Sequence, residues 1–224
     1  MRSASSRAVA ALSVLLVAGA ALAEKKKEKP REPEEPVAGE VSVRQGRGAG
    51  RLVLLGEAGW PGISAGALQG VAPNLDLGGR LTFNYGMEGN PRVIVPGVKA
   101  QFLLRAHLLD VDRLALGLEL SPGVLAYFWP VNPYIGLQVP VGLVLGIAVS
   151  DQLKAHVAAE VPLTFYFSPR VSVDYAVLFG GGLEYWLDRQ LAITLRIRIG
   201  PYVAAQGPGP QLSFHSLLGI AYAL

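Results

Sequence analysis

The stretch YIGLQVPVGLVLGIAVSDQLKAHVAAEVPLTFYF, residues 134–167, decides the fold. Two runs of strict alternation meet there at a minimal turn, Ser150-Asp151. In the first run Ile135, Leu137, Val139, Val141, Leu143, Leu145, Ile147 and Val149 share one parity. Tyr134, Gly136, Gln138, Pro140, Gly142, Val144, Gly146 and Ala148 share the other. In the second, Leu153, Ala155, Val157, Ala159, Val161, Leu163, Phe165 and Phe167 oppose Lys154, His156, Ala158, Glu160, Pro162, Thr164 and Tyr166. Side chains alternate across a strand with period 2, so each run reads as one very long β-strand with a wholly apolar face.

Working outward, the same alternation recurs between turns marked by Gly, Pro, Asn and Asp. It predicts ten strands, at about 50–58, 62–71, 74–86, 94–109, 113–128, 133–149, 152–167, 171–187, 190–204 and 211–224. Eight is the alternative count. Tight connections are expected at Ala72-Pro73, Asp110 to Asp112, Ser150-Asp151 and Asp188-Arg189. Longer ones are expected at Gly59 to Pro61, Met87 to Arg92, Trp129 to Asn132, Ser168 to Arg170 and Gln206 to Pro210. The two kinds alternate along the chain, as they do where short turns lie on one side of a barrel and loops on the other.

Composition narrows the class. Of the 224 residues, 51% are hydrophobic and only 17% charged, yet after the N-terminus no run of about 20 apolar residues offers a transmembrane helix. Residues 1–23 carry Arg2 and Arg7, an apolar stretch from Ala8 to Leu22 and a small-x-small end at Ala21-Leu22-Ala23, the pattern of a secretory signal. Cleavage after Ala23 leaves 18 basic residues (20 minus Arg2 and Arg7) against 17 acidic ones, which gives a nucleic-acid role no electrostatic support. There is no cysteine, hence no disulfide framework, thiolate metal site or lipid-anchoring cysteine. Residues 24–49 are mixed in charge, interrupted by proline and almost without large apolar side chains, and read as a flexible charged tether. With the tight turns assigned to the periplasm, the tether is periplasmic, and a periplasmic or cell-wall partner is its expected contact.

Alternation alone leaves open which face points out. A soluble barrel with an apolar interior would turn its polar face to water, where about 25–35% of residues are usually charged. The polar face of 133–149 carries no charge and suits a crowded interior. The apolar face recurs at Ala100, Phe102, Leu104, Ala106 and Leu108, at Leu114, Leu116, Leu118 and Leu120, and at Leu191, Ile193, Leu195, Ile197 and Ile199. Aromatic residues gather near the expected outer ends, with Tyr85, Tyr127, Phe128, Trp129, Tyr134, Phe165, Phe167 and Phe214. Tyr185, Trp186 and Tyr222 lie near the other rim. Tyr and Trp favour membrane interfaces because one edge is apolar and the other polar.

On these residues the chain resembles the small outer-membrane β-barrel proteins of Gram-negative bacteria, over residues 50–224 and the export signal. Leu212, Phe214, Leu218, Ile220, Tyr222 and Leu224 are similar to the C-terminal strand by which such barrels are recognised for assembly, although that family commonly ends in an aromatic residue. The resemblance implies an all-β fold, a closed antiparallel up-and-down transmembrane barrel. It also implies residence in the outer membrane, contact with outer-membrane lipid and with the barrel-assembly machinery, and a structural, scaffold or small-solute permeation role. No cofactor is implied, and an enzyme is not expected. The competing class is a soluble or membrane-bound barrel that binds a small ligand in its lumen.

The inward parity holds the candidate site. It carries Arg51, Arg80, Lys99, Arg105, Lys154, Arg196 and Arg198 against Glu57, Asp76, Glu119, Glu160, Asp174 and Glu184. Enclosed charges must be paired or hydrated, so near balance predicts a salt-bridge network closing the lumen. The alternative is a narrow hydrated pore using space at Gly136, Gly142, Gly146, Gly180 and Gly182. Arg196 and Arg198, two apart on one strand, either bind an anion or answer acids on nearby strands such as Glu160 and Glu184. His107, His156 and His215 are scattered and lack the spacing of a metal site. Ser213 and His215 share the inward face without a catalytic motif around them.

Overall fold

The computed structural model describes residues 52–88, 93–205 and 209–224. The expected signal peptide 1–23, the expected tether 24–49 and Arg51 lie outside the described residues. The chain forms strands β1 (Leu52–Trp60), β2 (Gly62–Ala72), β3 (Leu75–Asn84), β4 (Gly97–Val111), β5 (Leu114–Leu120) and β6 (Gly123–Tyr127). Then follow β7 (Tyr134–Ala148), β8 (Leu153–Ser168), β9 (Ser172–Ala176), β10 (Leu178–Trp186), β11 (Leu191–Ala204) and β12 (Gln211–Ala223). Every pairing is antiparallel, and β12 returns to β1 from Val53↔Ala223 to Trp60↔Ser216, which closes the sheet on itself.

Twelve segments make ten positions in the ring. β5 and β6 both pair with β4 on one side and β7 on the other, with register running unbroken from Leu104↔Leu120 to Gln101↔Gly123. They are two halves of one barrel strand. β9 and β10 share the place between β8 and β11 in the same way. The alternation predicts single strands at 113–128 and 171–187, and the difference has a covalent cause. Proline has no N–H to give a ladder. Ser121 N donates to Pro140 O at 3.0 Å and Phe102 N to Pro122 O at 2.8 Å, but neither proline can return the bond. The Gln101 side-chain amide supplies one replacement, donating to Ser121 O at 3.1 Å. In the other break Val177 N donates to Pro201 O at 3.0 Å, again with nothing returned.

One rim carries the connections at 73–74, 112–113, 149–152 and 187–190. Asp112 takes a left-handed φ of 50°, a conformation Asp tolerates better than most residues and one that suits so tight a reversal. At 187–190 the Asp188 carboxylate accepts hydrogen bonds from Gln190 N and Leu191 N, each at 2.7 Å, and these hold its pKa below the ordinary carboxylate value. The other rim carries the connections 85–96, 128–133, 169–171 and 205–210, all but 169–171 longer than those of the first rim. The link between β1 and β2 belongs to this rim but is shorter than expected. Gly59 makes it possible: φ is 149°, and a Cβ there would stand 2.0 Å from Ser216 O.

The parity read from residues 134–167 is the parity of the barrel wall. Gly136, Gln138, Pro140, Gly142, Val144 and Gly146 are buried inside, while Ile135, Leu137, Val141, Leu143 and Ile147 are exposed outside. Three aromatic assignments need correction. Tyr127, 2% exposed, and Trp186, 4% exposed, point into the lumen, as does the half-buried Tyr134. Each falls on the inward parity of its strand, so position near a rim had been mistaken for exposure. Exposed aromatic residues do remain outside, Phe83, Tyr85, Phe128, Trp129, Phe167 and Tyr175 towards one rim and Tyr185 and Tyr222 towards the other.

Candidate functional site: the charged lumen

The interior is layered. At the rim of tight turns, Val53, Leu55, Trp186, Ala192, Ala221 and Ala223 form an apolar cluster. At the opposite rim, Val95, Leu125, Tyr127 and Tyr166 pack with Met87, Val93 and Tyr134, and the Tyr134 and Tyr166 rings meet edge to face at 5.7 Å. Between these two lids most of the large inward side chains are polar or ionic, with Leu68, Val144, Ala158 and Leu178 as buried apolar exceptions.

Three groups of charge occupy that middle. Glu57 on β1 is paired with both Arg196 on β11 and Arg80 on β3, the latter at 3.6 Å, and Ser64 Oγ donates to it at 3.2 Å. Arg196 reaches across β12 because Gly219, the register partner of both Glu57 and Thr194, carries no side chain to block the way. Glu119 on β5 binds Arg105 at 2.8 Å and Arg198 at 3.7 Å, and Arg198 also pairs with Glu160 on β8. The third group is centred on Glu88, which pairs with Lys99 and accepts a bond from Gln138 Nε2 at 2.9 Å. Gln138 in turn donates to Thr164 Oγ1 at 3.2 Å.

The remaining sequence-derived positions stand apart from this middle. Asp76 lies 3.2 Å from His107 Nε2. Asp174 accepts bonds from the Tyr202 hydroxyl and from Ala205 N, the latter at 3.2 Å. Glu184 accepts a bond from Trp186 Nε1 at 2.6 Å. Its register partner Lys154 lies over the Trp186 ring, 5.6 Å from the centroid. Arg198 thus answers Glu160, whereas Arg196 answers Glu57 rather than Glu184. Two small cavities flank the central pairs, one of about 100 Å³ and one of about 80 Å³, and Arg80, Glu160, Arg196 and Arg198 line both. Each has room for water, which needs some 10–15 Å³.

No protein-family model and no curated protein matches the sequence. Among solved structures, the chain is similar to outer-membrane expressed OmpT of Vibrio cholerae, with a TM-score of 0.38 and 12% identity over 77% of this chain and 61% of that one. A second, in-vitro folded OmpT from the same organism gives 0.37 and 10% over 79% and 62%. The chain therefore spans less than two thirds of the length of either neighbour.

Two features of the lumen were not legible as such. Glu88 stands on the connection 85–96, outside every alternating run, so parity could not assign it. The inward glycines are expected to leave space, but at Gly136, Gly180 and Gly182 neighbouring backbone fills it. A Cβ on Gly180 would sit 1.9 Å from Ile197 O, one on Gly182 2.1 Å from Leu195 O, and one on Gly136 2.6 Å from Phe165 O. Gly180→Ala should therefore destabilise the barrel by about 1–3 kcal/mol or more, since the contact is with backbone that cannot rotate away. The urea midpoint of the refolded variant in detergent micelles measures it. Among the described residues, no group of three or more His, Cys, Asp or Glu could hold a metal ion. Ser213 Oγ and His215 Nε2 are buried, with no hydrogen-bond partner among the described residues.

Proposed function

We propose that the protein is an integral barrel of the outer membrane whose lumen is sealed, so that it serves as an anchor or scaffold rather than as a conduit. The outer wall carries the membrane part of this reading. No outward position of the described strands is charged, since the bulge in β4 sets Asp110 opposite the inward Ala115, and Leu81, Leu143, Phe179, Leu218 and Ile220 are among the many large apolar residues exposed there. In water such a surface would drive aggregation; in a bilayer it is the surface required. The uninterrupted strands run from 9 to 16 residues, enough for the roughly 9–11 that cross a membrane. This also weighs against the soluble ligand-binding barrel.

The observation that carries the sealed reading is the sequence of barriers along the lumen: an apolar cluster, the central ion pairs, and a second cluster rich in tyrosine. The charges serve to cross-link the wall: Glu57–Arg196, Glu57–Arg80, Glu119–Arg198 and Glu160–Arg198 each join strands that are not consecutive in the chain, while Arg105–Glu119 joins the consecutive β4 and β5. In this orientation the rim of tight turns, where β1 begins, is periplasmic, and a periplasmic or cell-wall partner for residues 24–49 is part of the same proposal. Lipid and the barrel-assembly machinery are the remaining contacts, the latter through β12. The two polar cavities favour a second reading, permeation of small solutes.

Fractionation separates the main possibilities. Recovery in outer-membrane fractions, with extraction only by detergent, is expected. Recovery in a detergent-free periplasmic extract would overturn the membrane reading, and stepwise currents from the wild-type protein in planar bilayers would replace the sealed barrel by the permeation reading.

A further inference from the structure

The Glu88 carboxylate is held like a ligand. It meets Lys99 Nζ, accepts a bond from Gln138 Nε2 at 2.9 Å and lies 3.4 Å from Asn84 Nδ2. Its own backbone N donates to the Tyr127 hydroxyl at 3.1 Å. The groups that receive it are deep inside: Lys99 is 8% exposed, Gln138 5% and Asn84 1%. They belong to the wall strands β3, β4 and β7, whereas Glu88 stands on a connection. Its carboxylate can leave without unpairing any strand.

What it would leave behind is a site for an anion. The cavity of about 80 Å³ beside it is lined by four cations, Arg80, Lys99, Arg196 and Arg198, against two carboxylates, Glu88 and Glu160. Arg80 and Arg196 also have Glu57, and Arg198 also has Glu119, but Lys99 is ion-paired with Glu88. Two nitrogens on this cavity have no hydrogen-bond partner among the described residues, Arg198 Nε, a donor, and His215 Nε2, a donor in the tautomer that carries its proton there, and Arg198 is only 8% exposed. A buried ammonium deprived of its acid is costly, so whatever anion fits is drawn in.

The geometry points to a lumenal binding site for a small carboxylate, built by Lys99, Gln138 and Asn84 with Arg198 and His215 at its edge, and occupied in this structure by the chain's own Glu88. This goes beyond the sealed-barrel reading and does not depend on it. An external carboxylate competes with a tethered one whose effective concentration is in the millimolar range, so the intact protein binds it weakly.

The test is calorimetric titration of sodium acetate into the full mature chain refolded in detergent micelles, with ionic strength held by a bulky sulfonate too large for the cavity. Glu88→Ala should bind acetate saturably, at least about tenfold more tightly than wild type, and Glu88→Ala/Lys99→Met should lose that binding. If Glu88→Ala does not refold alone, it should do so when acetate is present, as judged by resistance to cold SDS, with no such gain for the double variant. Absence of saturable binding in folded Glu88→Ala, binding unchanged by Lys99→Met, equal affinity in wild type, or refolding indifferent to acetate would each overturn the assignment. Because the titration is done in micelles, its failure is distinct from a failure of the membrane reading.

Discussion

Glu57→Gln is expected to lower the unfolding free energy by about 3–5 kcal/mol, the usual consequence of removing one member from a buried ion-paired group. Glu57 is the shared partner of two guanidinium groups, Arg80 and Arg196, and accepts a bond from Ser64 as well. The amide keeps the shape and removes the charge, so both arginines face an interior with one acid fewer. Glu160→Gln should cost less, because its partner Arg198 retains Glu119 at 3.7 Å. The order of the two effects follows from which acid is shared. Urea unfolding of both variants beside wild type, in the same micelles, measures it. A lumen filled with mobile water would screen either loss, and both midpoints would then stay where they are.

The second large effect belongs to the outer wall. Leu143 sits mid-strand on β7, 48% exposed, with Val141 and Leu145 beside it on the same face. Arg at the lipid-facing midplane of a barrel typically costs about 2–4 kcal/mol, whereas Ala at the same place removes only contacts that lipid tails replace. Leu143→Arg should therefore fold into vesicles poorly and Leu143→Ala almost normally. Equal yields, compared by resistance to cold SDS, would contradict the assigned facing.

How far the sequence reaches is shown by the two kinds of residue it did and did not place. Parity is a local property, and the Tyr134–Phe167 stretch carries it over two complete strands, so the two faces and the ten positions of the ring follow from alternation, and the absence of charge on the polar face of 133–149 says which of the two points inward. Proline needed more care. The alternation passes through Pro122 and Val177 without a fault, because losing a ladder hydrogen bond does not shift the side-chain phase. Trp186 was misplaced because an aromatic residue near a rim resembles an interface anchor, though its even number on β10 already put it with Glu184 and inside. Which acid meets which base depends on the stagger of strands far apart in sequence, as when Arg196 passes over Gly219 to Glu57. Glu88 left no trace in the parity, because it stands outside every alternating run. The proximity of strands around Gly180 is likewise a property of the closed sheet, invisible in a single strand.

The central claim is a membrane-spanning wall around a sealed lumen, and one measurement addresses both halves: chloride efflux from lipid vesicles that carry the refolded protein through a flotation gradient. Protein that floats and vesicles that leak no faster than protein-free ones are the result expected. Protein left at the bottom of the gradient, or floated vesicles that empty faster in proportion to the protein they carry, would contradict it.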